Sequence, residues 1–380
     1  MNASPETCYG REWELQQLHT LLNHAETECK TKVAFLSGMI GIGKTCLLGT
    51  FTKQLATNNK TVANIEVCAT PHSKGFSIAL LLKLLLKISE ADSYDDVKNK
   101  TQLVFSSTKS AVRVLYLMNY ALDSNQMNAL ANINKNQLDE IDAHIANDLL
   151  AYLGHKKVSV VAIDGLHLLT HDEVTFIRHL TQVKTSAPVL IVLTAQNNGL
   201  FTYLPSWLSS AHSIPIKELD VPTLETIAKN TLAKQGVCPH KYREKIDLAI
   251  RRINGNPLFL NQLLIAPNID SSLPEKLTQS IKSTLDEMPP DACAILKLAS
   301  HNGQHFDSKQ LHQFSSHKAI KFPLCMVQKL LKSGLVTQTT EHFSFVHPMV
   351  CEAIKHHTRD FEDHGYKPQQ NRQNYQVSRN

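Results

Sequence analysis

The chain has 380 residues, 42% hydrophobic and 19% charged, with a formal net charge of +5. That much apolar content excludes a disordered chain and supplies a core for two or three domains. A charge this small, spread along the sequence, gives no ground for a dedicated nucleic-acid binder.

Apolar residues at Trp13, Leu15, Leu18, Leu21 and Leu22 recur at helical spacing and predict a first helix over Gly10–Ala25. A strand is expected at Lys32–Ser37. It runs into Gly38-Met39-Ile40-Gly41-Ile42-Gly43-Lys44-Thr45, which fits G-x-x-x-x-G-K-[ST], the loop that wraps the phosphates of ATP or GTP. Gly38, Gly41 and Gly43 let the backbone curl so that successive N–H groups face an anion. Lys44 brings a point charge for the β- and γ-phosphates, and the Thr45 hydroxyl is a ligand for Mg²⁺. Lys44 to Leu55, including Cys46, continues as a helix whose N-terminus faces the phosphate. Further strands are expected at Val62–Cys68, Val158–Ile163, Val189–Thr194 and Ser213–Lys217, separated by helical patterns that are clearest at Phe76–Ser89 and Leu138–Leu153. Glu90–Asn136 reads as mixed helix and loop. Strands alternating with helices imply a parallel sheet covered on both faces, so the fold class is α/β with a doubly wound sheet.

Past about Asp220 the strand signals stop, and short helices are expected at Thr223–Gln235, Lys241–Arg252 and Pro257–Leu264. Helices then lead to a hairpin of Leu335–Thr339 and Phe343–His347, the pattern of a winged helix. The expected division is a P-loop ATPase domain over 1–219, a helical lid over 220–270, a winged-helix domain over 271–358 and a disordered tail over 359–380.

Eight cysteines without a C-x-x-C pair read as a reduced, cytoplasmic protein without structural disulfides. The polar N-terminus has no signal-peptide core. The most apolar stretch, Phe76–Ile88, is broken by Lys83 and Lys87 and is too short to span a membrane.

A phosphate loop needs a carboxylate for Mg²⁺, usually at the end of an apolar strand beside the loop strand. Val158-Ser159-Val160-Val161-Ala162-Ile163-Asp164 supplies one, making Asp164 the metal-side residue and, with Lys44, part of the catalytic set. Many ATPases of this kind carry a second acid next, to polarise the attacking water; this chain has Gly165. General-base help worth about 10²–10⁴-fold would then be missing and hydrolysis slow. At the end of the next strand, Thr194 and Gln196 are candidates to reach the γ-phosphate or the water, with Gln196 assigned to the catalytic set.

Several of these pieces resemble one family, the signal-transducing STAND class of P-loop ATPases in the AAA superfamily, and within it the origin-recognition-like modules of bacterial transcriptional regulators. Gly10-Arg11-Glu12 with Glu14-Leu15 is similar to the family's opening helix, which lies against the adenine side and would make Arg11 a nucleotide contact. Asp164-Gly165-Leu166-His167 resembles the family's Asp-Asp-Leu-His stretch. Gly255-Asn256-Pro257-Leu258-Phe259-Leu260 is similar to the Gly-x-Pro motif of the lid, whose proline, here Pro257, packs on the base or sugar. Phe345-Val346-His347-Pro348 resembles the winged-helix segment whose histidine, here His347, reaches the β-phosphate of bound ADP. The resemblance spans roughly residues 9–357 and implies ATP/ADP with Mg²⁺ as cofactors, with Arg11, Gly38, Gly41, Gly43, Lys44, Thr45, Cys46, Pro257 and His347 around the nucleotide.

The resulting expectation is an ATP/ADP conformational switch with slow turnover, working with a protein partner or by self-association. An initiator-like ATPase that binds DNA through Lys318, Lys321, Lys329 and Lys332 is the alternative, and an efficient ATP hydrolase a third reading.

Overall fold

Val33 to Leu36 are consecutive apolar residues because their strand is buried on both faces, and successive side chains point to opposite sides. The computed structural model describes residues 8–57, 61–66, 78–89, 91–155, 158–166, 169, 171–183, 186–196, 205–236, 242–265, 273, 275–317, 324–338 and 342–357. The chain divides into two compact units: Met1–Ile227 with Gly255–Leu258, and Ala228–Asn254 with Phe259–Asn380.

The first unit is built on β1 (Lys32–Gly38), β2 (Thr61–Glu66), β3 (Val158–Asp164), β4 (Leu190–Gln196) and β5 (His212–Pro215). They form one sheet in the order β2-β3-β4-β1-β5, every pairing parallel. Its helices are α1 (Glu12–Glu28), α2 (Lys44–Thr57), α3 (Ile78–Leu85), α4 (Tyr94–Val104), α5 (Thr108–Leu117), α6 (Ser124–Ala131), α7 (Lys135–His155) and α8 (His171–Gln182). Ala34, Leu36, Val160, Ala162 and Val192 face α1 and α2, packing on Leu18, Leu22, Leu47, Phe51 and Leu55. Their neighbours Val33, Phe35, Val161, Ile163 and Leu193 face the other way, against Leu82, Leu149, Leu153, Phe176 and Leu180. Each fully buried Leu or Phe contributes about 1.5–3 kcal/mol, so the α/β sandwich is held by its two apolar faces. This is a doubly wound α/β fold, with the glycine-rich loop leaving the end of β1.

One feature differs from the sequence reading. The strand carrying Asp164 is not beside the loop strand: β4 lies between β3 and β1. Residues 91–134, read as mixed helix and loop, hold the short helices α4, α5 and α6, with Ser93–Asp96 and Asp123–Gln126 each forming a capping box.

Later elements are α9 (Val221–Lys234), α10 (Arg243–Ile253), α11 (Pro257–Ile265), α12 (Glu275–Glu287), α13 (Pro290–Asn302), β6 (His305–Asp307), α14 (Ser308–His317), α15 (Leu324–Lys332), β7 (Val336–Gln338), β8 (His342–Phe345) and α16 (Pro348–His356). The second unit holds an antiparallel sheet in the order β6-β8-β7. Its extra strand β6 is three residues long, too short to leave a periodic signal. Phe306 and Phe343, directly opposite in the ladder, stack at 5.7 Å between centroids. The hairpin turn at residues 339–341, Lys318, Lys321, His167 and the tail over 359–380 lie outside the described residues, as do the Cys68 end of the second strand and the side chain of Lys332. Lys329 is exposed on α15.

Candidate functional site: a clamped phosphate loop

β1 delivers the chain to Gly38 and α2 takes it up at Lys44, leaving five residues to make the turn. A Cβ at Gly38 would meet the Ile216 carbonyl oxygen at 2.8 Å, so this position is closed to side chains by packing. Gly41 and Gly43 have φ of +74° and +103°, a region in which a Cβ collides with its own backbone. Their surroundings differ. A Cβ on Gly41 would meet Leu258 at 2.8 Å and the Asn256 side chain at 2.9 Å, whereas a Cβ on Gly43 would meet nothing within 4 Å. The loop is therefore packed at its crest and open at its exit.

The carbonyl groups of the loop each receive a donor. Lys44 Nζ donates to the carbonyls of Gly38 and Met39, both at 2.8 Å. Asn256 Nδ2 donates to the Ile40 carbonyl at 2.8 Å, and the Leu258 N–H to that of Gly41 at 3.4 Å. Arg11 Nη2 donates to the Ile42 carbonyl at 3.0 Å and to that of Lys217 at 2.7 Å, while its Nη1 pairs with Glu14 at 3.1 Å. Arg11 is thus a buried bracket between the loop and the segment after β5.

Lys44 is only 9% exposed. Burial pulls its ammonium down to about 8, the Asp164 carboxylate acting in the opposite sense. Asp164 ends β3 and is itself buried. The Thr194 hydroxyl, at the end of β4 and fully buried, donates to Asp164 Oδ1 and accepts the Gly165 N–H at 3.0 Å. The inserted β4 explains this: Ile163 pairs with Leu193, which brings the next residues, Asp164 and Thr194, level across the ladder. Of the two polar residues at the end of β4, Thr194 touches the carboxylate. Gln196 sits opposite Gly38 across the β1–β4 ladder. Gly165 has φ of +97°, so an acid there would have to adopt a backbone that side chains disfavour.

Thr45 is exposed as the second residue of α2. Cys46 follows, and its thiol hydrogen-bonds that of Cys8; this contact and burial both push the Cys8 thiol well above its ordinary range. Pro257 begins α11 behind Asn256, whose Oδ1 accepts the Leu258 N–H at 3.1 Å and so caps that helix. Asn256 is 2% exposed and was legible only as the variable residue of Gly-x-Pro, although Asn before Pro is a helix-start signal. In the second unit His347 is buried and caps α16: Nδ1 accepts the Met349 N–H at 3.1 Å, Nε2–H donates to the Ile253 carbonyl at 3.0 Å, and the ring meets Phe259 edge-on at 4.5 Å. Burial pulls the His347 imidazole below its usual value, opposed by the bond to Ile253.

Together these residues suit a polyphosphate with a hard divalent cation. A buried ammonium, held by carbonyls that a stronger acceptor can replace, lies beside a carboxylate, and the glycine exit leaves room for an anion. Among the described residues no cluster of three or more His, Cys, Asp or Glu could bind a metal alone. A cation would be shared between the Asp164 carboxylate, the Thr45 hydroxyl and ligand oxygens, the donor set Mg²⁺ prefers. No described helix is long and apolar enough to cross a membrane.

Comparison with curated proteins finds no match. Among solved structures, the chain is similar to the Aeropyrum pernix Orc1 protein in complex with DNA, at 15% identity and TM-score 0.43, covering 93% of this chain and 94% of that one. It is similar to Cdc6p from Pyrobaculum aerophilum at 14% identity and TM-score 0.41, covering 94% and 98%. It also aligns with the replication initiator DnaA bound to AMPPCP and single-stranded DNA, at 13% identity and TM-score 0.37, covering 94% and 92%. Residues 7–192, which hold Arg11, the whole phosphate loop and Asp164, match the family model of the AAA ATPase domain.

Proposed function

We propose that this protein is a nucleotide-dependent regulatory switch of the cytoplasm, with Mg²⁺-ATP and ADP as its ligands and slow hydrolysis between them. The observation that carries this reading is the clamped loop, with the Lys44 ammonium buried on its carbonyls and within the field of the Asp164 carboxylate. Lys44 would exchange its bonds to Gly38 and Met39 for phosphate oxygens. Asp164, oriented by Thr194, and Thr45 would hold the metal, which supplies charge neutralisation for the β- and γ-phosphates. Arg11 and Glu14 keep the loop against the start of α1, and we assign Pro257 to the base or sugar. Gln196 would face the γ-phosphate side. With Gly165 in place of a second acid, the attacking water has no carboxylate at that position, which favours a long-lived ATP state over rapid turnover.

We further propose that residues 220–270 act as the lid and 271–358 as a winged helix, with a partner protein or a second copy reading the ATP state. To contact a nucleotide, His347 would have to give up its bond to the Ile253 carbonyl, so that exchange is the expected trigger in the second unit. Turning a 1:99 equilibrium into 99:1 requires that ATP prefer one state by about 5.5 kcal/mol.

The primary test is Lys44→Ala. Bound nucleotide stabilises by about 2.7 kcal/mol at a hundredfold excess over Kd, so the wild type should gain thermal stability with Mg²⁺-ATP or Mg²⁺-ADP and the variant almost none. An equal gain in both would remove the nucleotide reading. Limited proteolysis across residues 265–275, with ADP and then with ATP, tests the switch; identical cleavage would remove it.

A further inference from the structure

The donors that hold the loop from outside have a consequence for its amides. In a trans peptide the C=O of one residue and the N–H of the next point in opposite directions. Asn256 fixes the Ile40 carbonyl and so turns the Gly41 N–H away from itself. The Leu258 N–H, shared with Asn256 Oδ1, reaches the Gly41 carbonyl at 3.4 Å, and the N–H of that peptide, on Ile42, is taken up by the Met39 carbonyl at 3.4 Å. Arg11 fixes the peptide between Ile42 and Gly43 in the same way as Asn256 fixes its own, at the position where a Cβ would meet open space. The planes that aim the Gly41 and Gly43 N–H groups are therefore set by groups distant in sequence, Arg11 and, on the short segment Gly255–Leu258, Asn256.

We infer that Asn256 is a positioning residue for phosphate binding: its amide holds the loop's peptide planes in the orientation an anion needs, and it touches neither base nor sugar. This rests on the nucleotide-binding reading above. The Asn256 side chain is fully committed on the atoms that matter, Nδ2 to the Ile40 carbonyl and Oδ1 to the N–H of Leu258. Its burial at 2% exposure leaves it no surface role. A pre-set loop binds more tightly because the ligand does not have to order it. Arg11 is the second bracket, but its three acceptor contacts and burial make it a poor probe, since its loss would disturb α1 and the segment after β5.

The test uses the full chain with Asn256→Ser and Asn256→Asp. Both residues are good helix N-caps and keep the α11 start; aspartate has no donor for the Ile40 carbonyl, and the serine hydroxyl is one atom shorter than the Asn amide and is taken up by the cap. Serine adds no charge, so it separates lost positioning from repulsion. The probes are inorganic tripolyphosphate and Mg²⁺-ATP, read by calorimetry. Asn256→Ser should weaken both by the same factor, about five- to tenfold, the worth of one hydrogen bond. In the ligand-free protein, amides across residues 38–44 should exchange faster, and the melting temperature should fall by a few degrees because the Ile40 carbonyl loses its donor. A loss for ATP with none for tripolyphosphate would place Asn256 at the base or sugar and overturn the inference. Unchanged affinity for both, or unchanged exchange, would also overturn it. If the wild type bound neither probe, the nucleotide reading itself would fail, whereas the exchange comparison would still judge the clamp.

Discussion

Gly41 and Gly43 both lie at positive φ in the same loop, yet alanine should have different effects at the two. At Gly43 the cost is backbone strain alone, about 1–2 kcal/mol. Nothing lies within 4 Å of the new methyl, so the fold is otherwise undisturbed, but the methyl occupies the open side of the loop. At Gly41 the same strain is joined by contacts of 2.8 Å to Leu258 and 2.9 Å to Asn256. Overpacking adds about 1–3 kcal/mol, for a total of about 2–5 kcal/mol. A unit of this size loses about 2–4 °C per kcal/mol, so Gly41→Ala should melt about 4–20 °C lower and Gly43→Ala about 2–8 °C lower. Both tryptophans, Trp13 and Trp207, belong to the first unit, so their fluorescence reports its unfolding directly. Gly43→Ala should keep most of its stability and lose the thermal gain from Mg²⁺-ATP. Gly41→Ala should lose stability first and binding with it. Equal melting losses would refute the packing of Asn256 and Leu258 on the loop crest. A normal nucleotide gain in Gly43→Ala would refute the assignment of the open side to the phosphates.

Thr194→Val keeps the shape but removes the hydroxyl that serves Asp164 and the Gly165 N–H; leaving these buried groups unpaired should cost about 1–3 kcal/mol by tryptophan-monitored urea unfolding, and ATP affinity should depend less on Mg²⁺. Unchanged stability would show that the bridge is idle. Gly165→Asp should raise single-turnover ATP hydrolysis without tightening binding, at a stability cost of about 1–2 kcal/mol set by the positive φ. Wild-type turnover at about 1 s⁻¹ or faster would mean that another group activates water. For His347, whose folded value lies below that of a free imidazole at about 6.5, the unfolded chain binds a proton that the folded unit refuses across the interval between the two. Stability of the second unit should therefore be fully present above about pH 6.5 and fall as pH drops through that interval. His347→Gln should flatten the slope, as read by exchange at α16 corrected for intrinsic rates; equal slopes would place the titration elsewhere.

The sequence alone determined the pieces whose physics is local. Apolar runs of strand length and a glycine pattern that curls around an anion depend on neighbours a few residues away, so they can be read in order along the chain. The five strands of the first sheet and the phosphate loop were legible for that reason. The region from Glu90 to Asn136 was not, because short helices with weak periodicity give one period no advantage over another. Tertiary structure decided the rest. Strand order depends on which crossover packs where, and only it shows that β4 separates the Asp164 strand from β1 and so delivers Thr194 to the carboxylate. Arg11 and Asn256 carry recognisable motif positions, but their partners lie 31 and 216 residues away on the loop. Hydrogen bonds of that range are set by the packing of whole elements, and no window of sequence contains both ends.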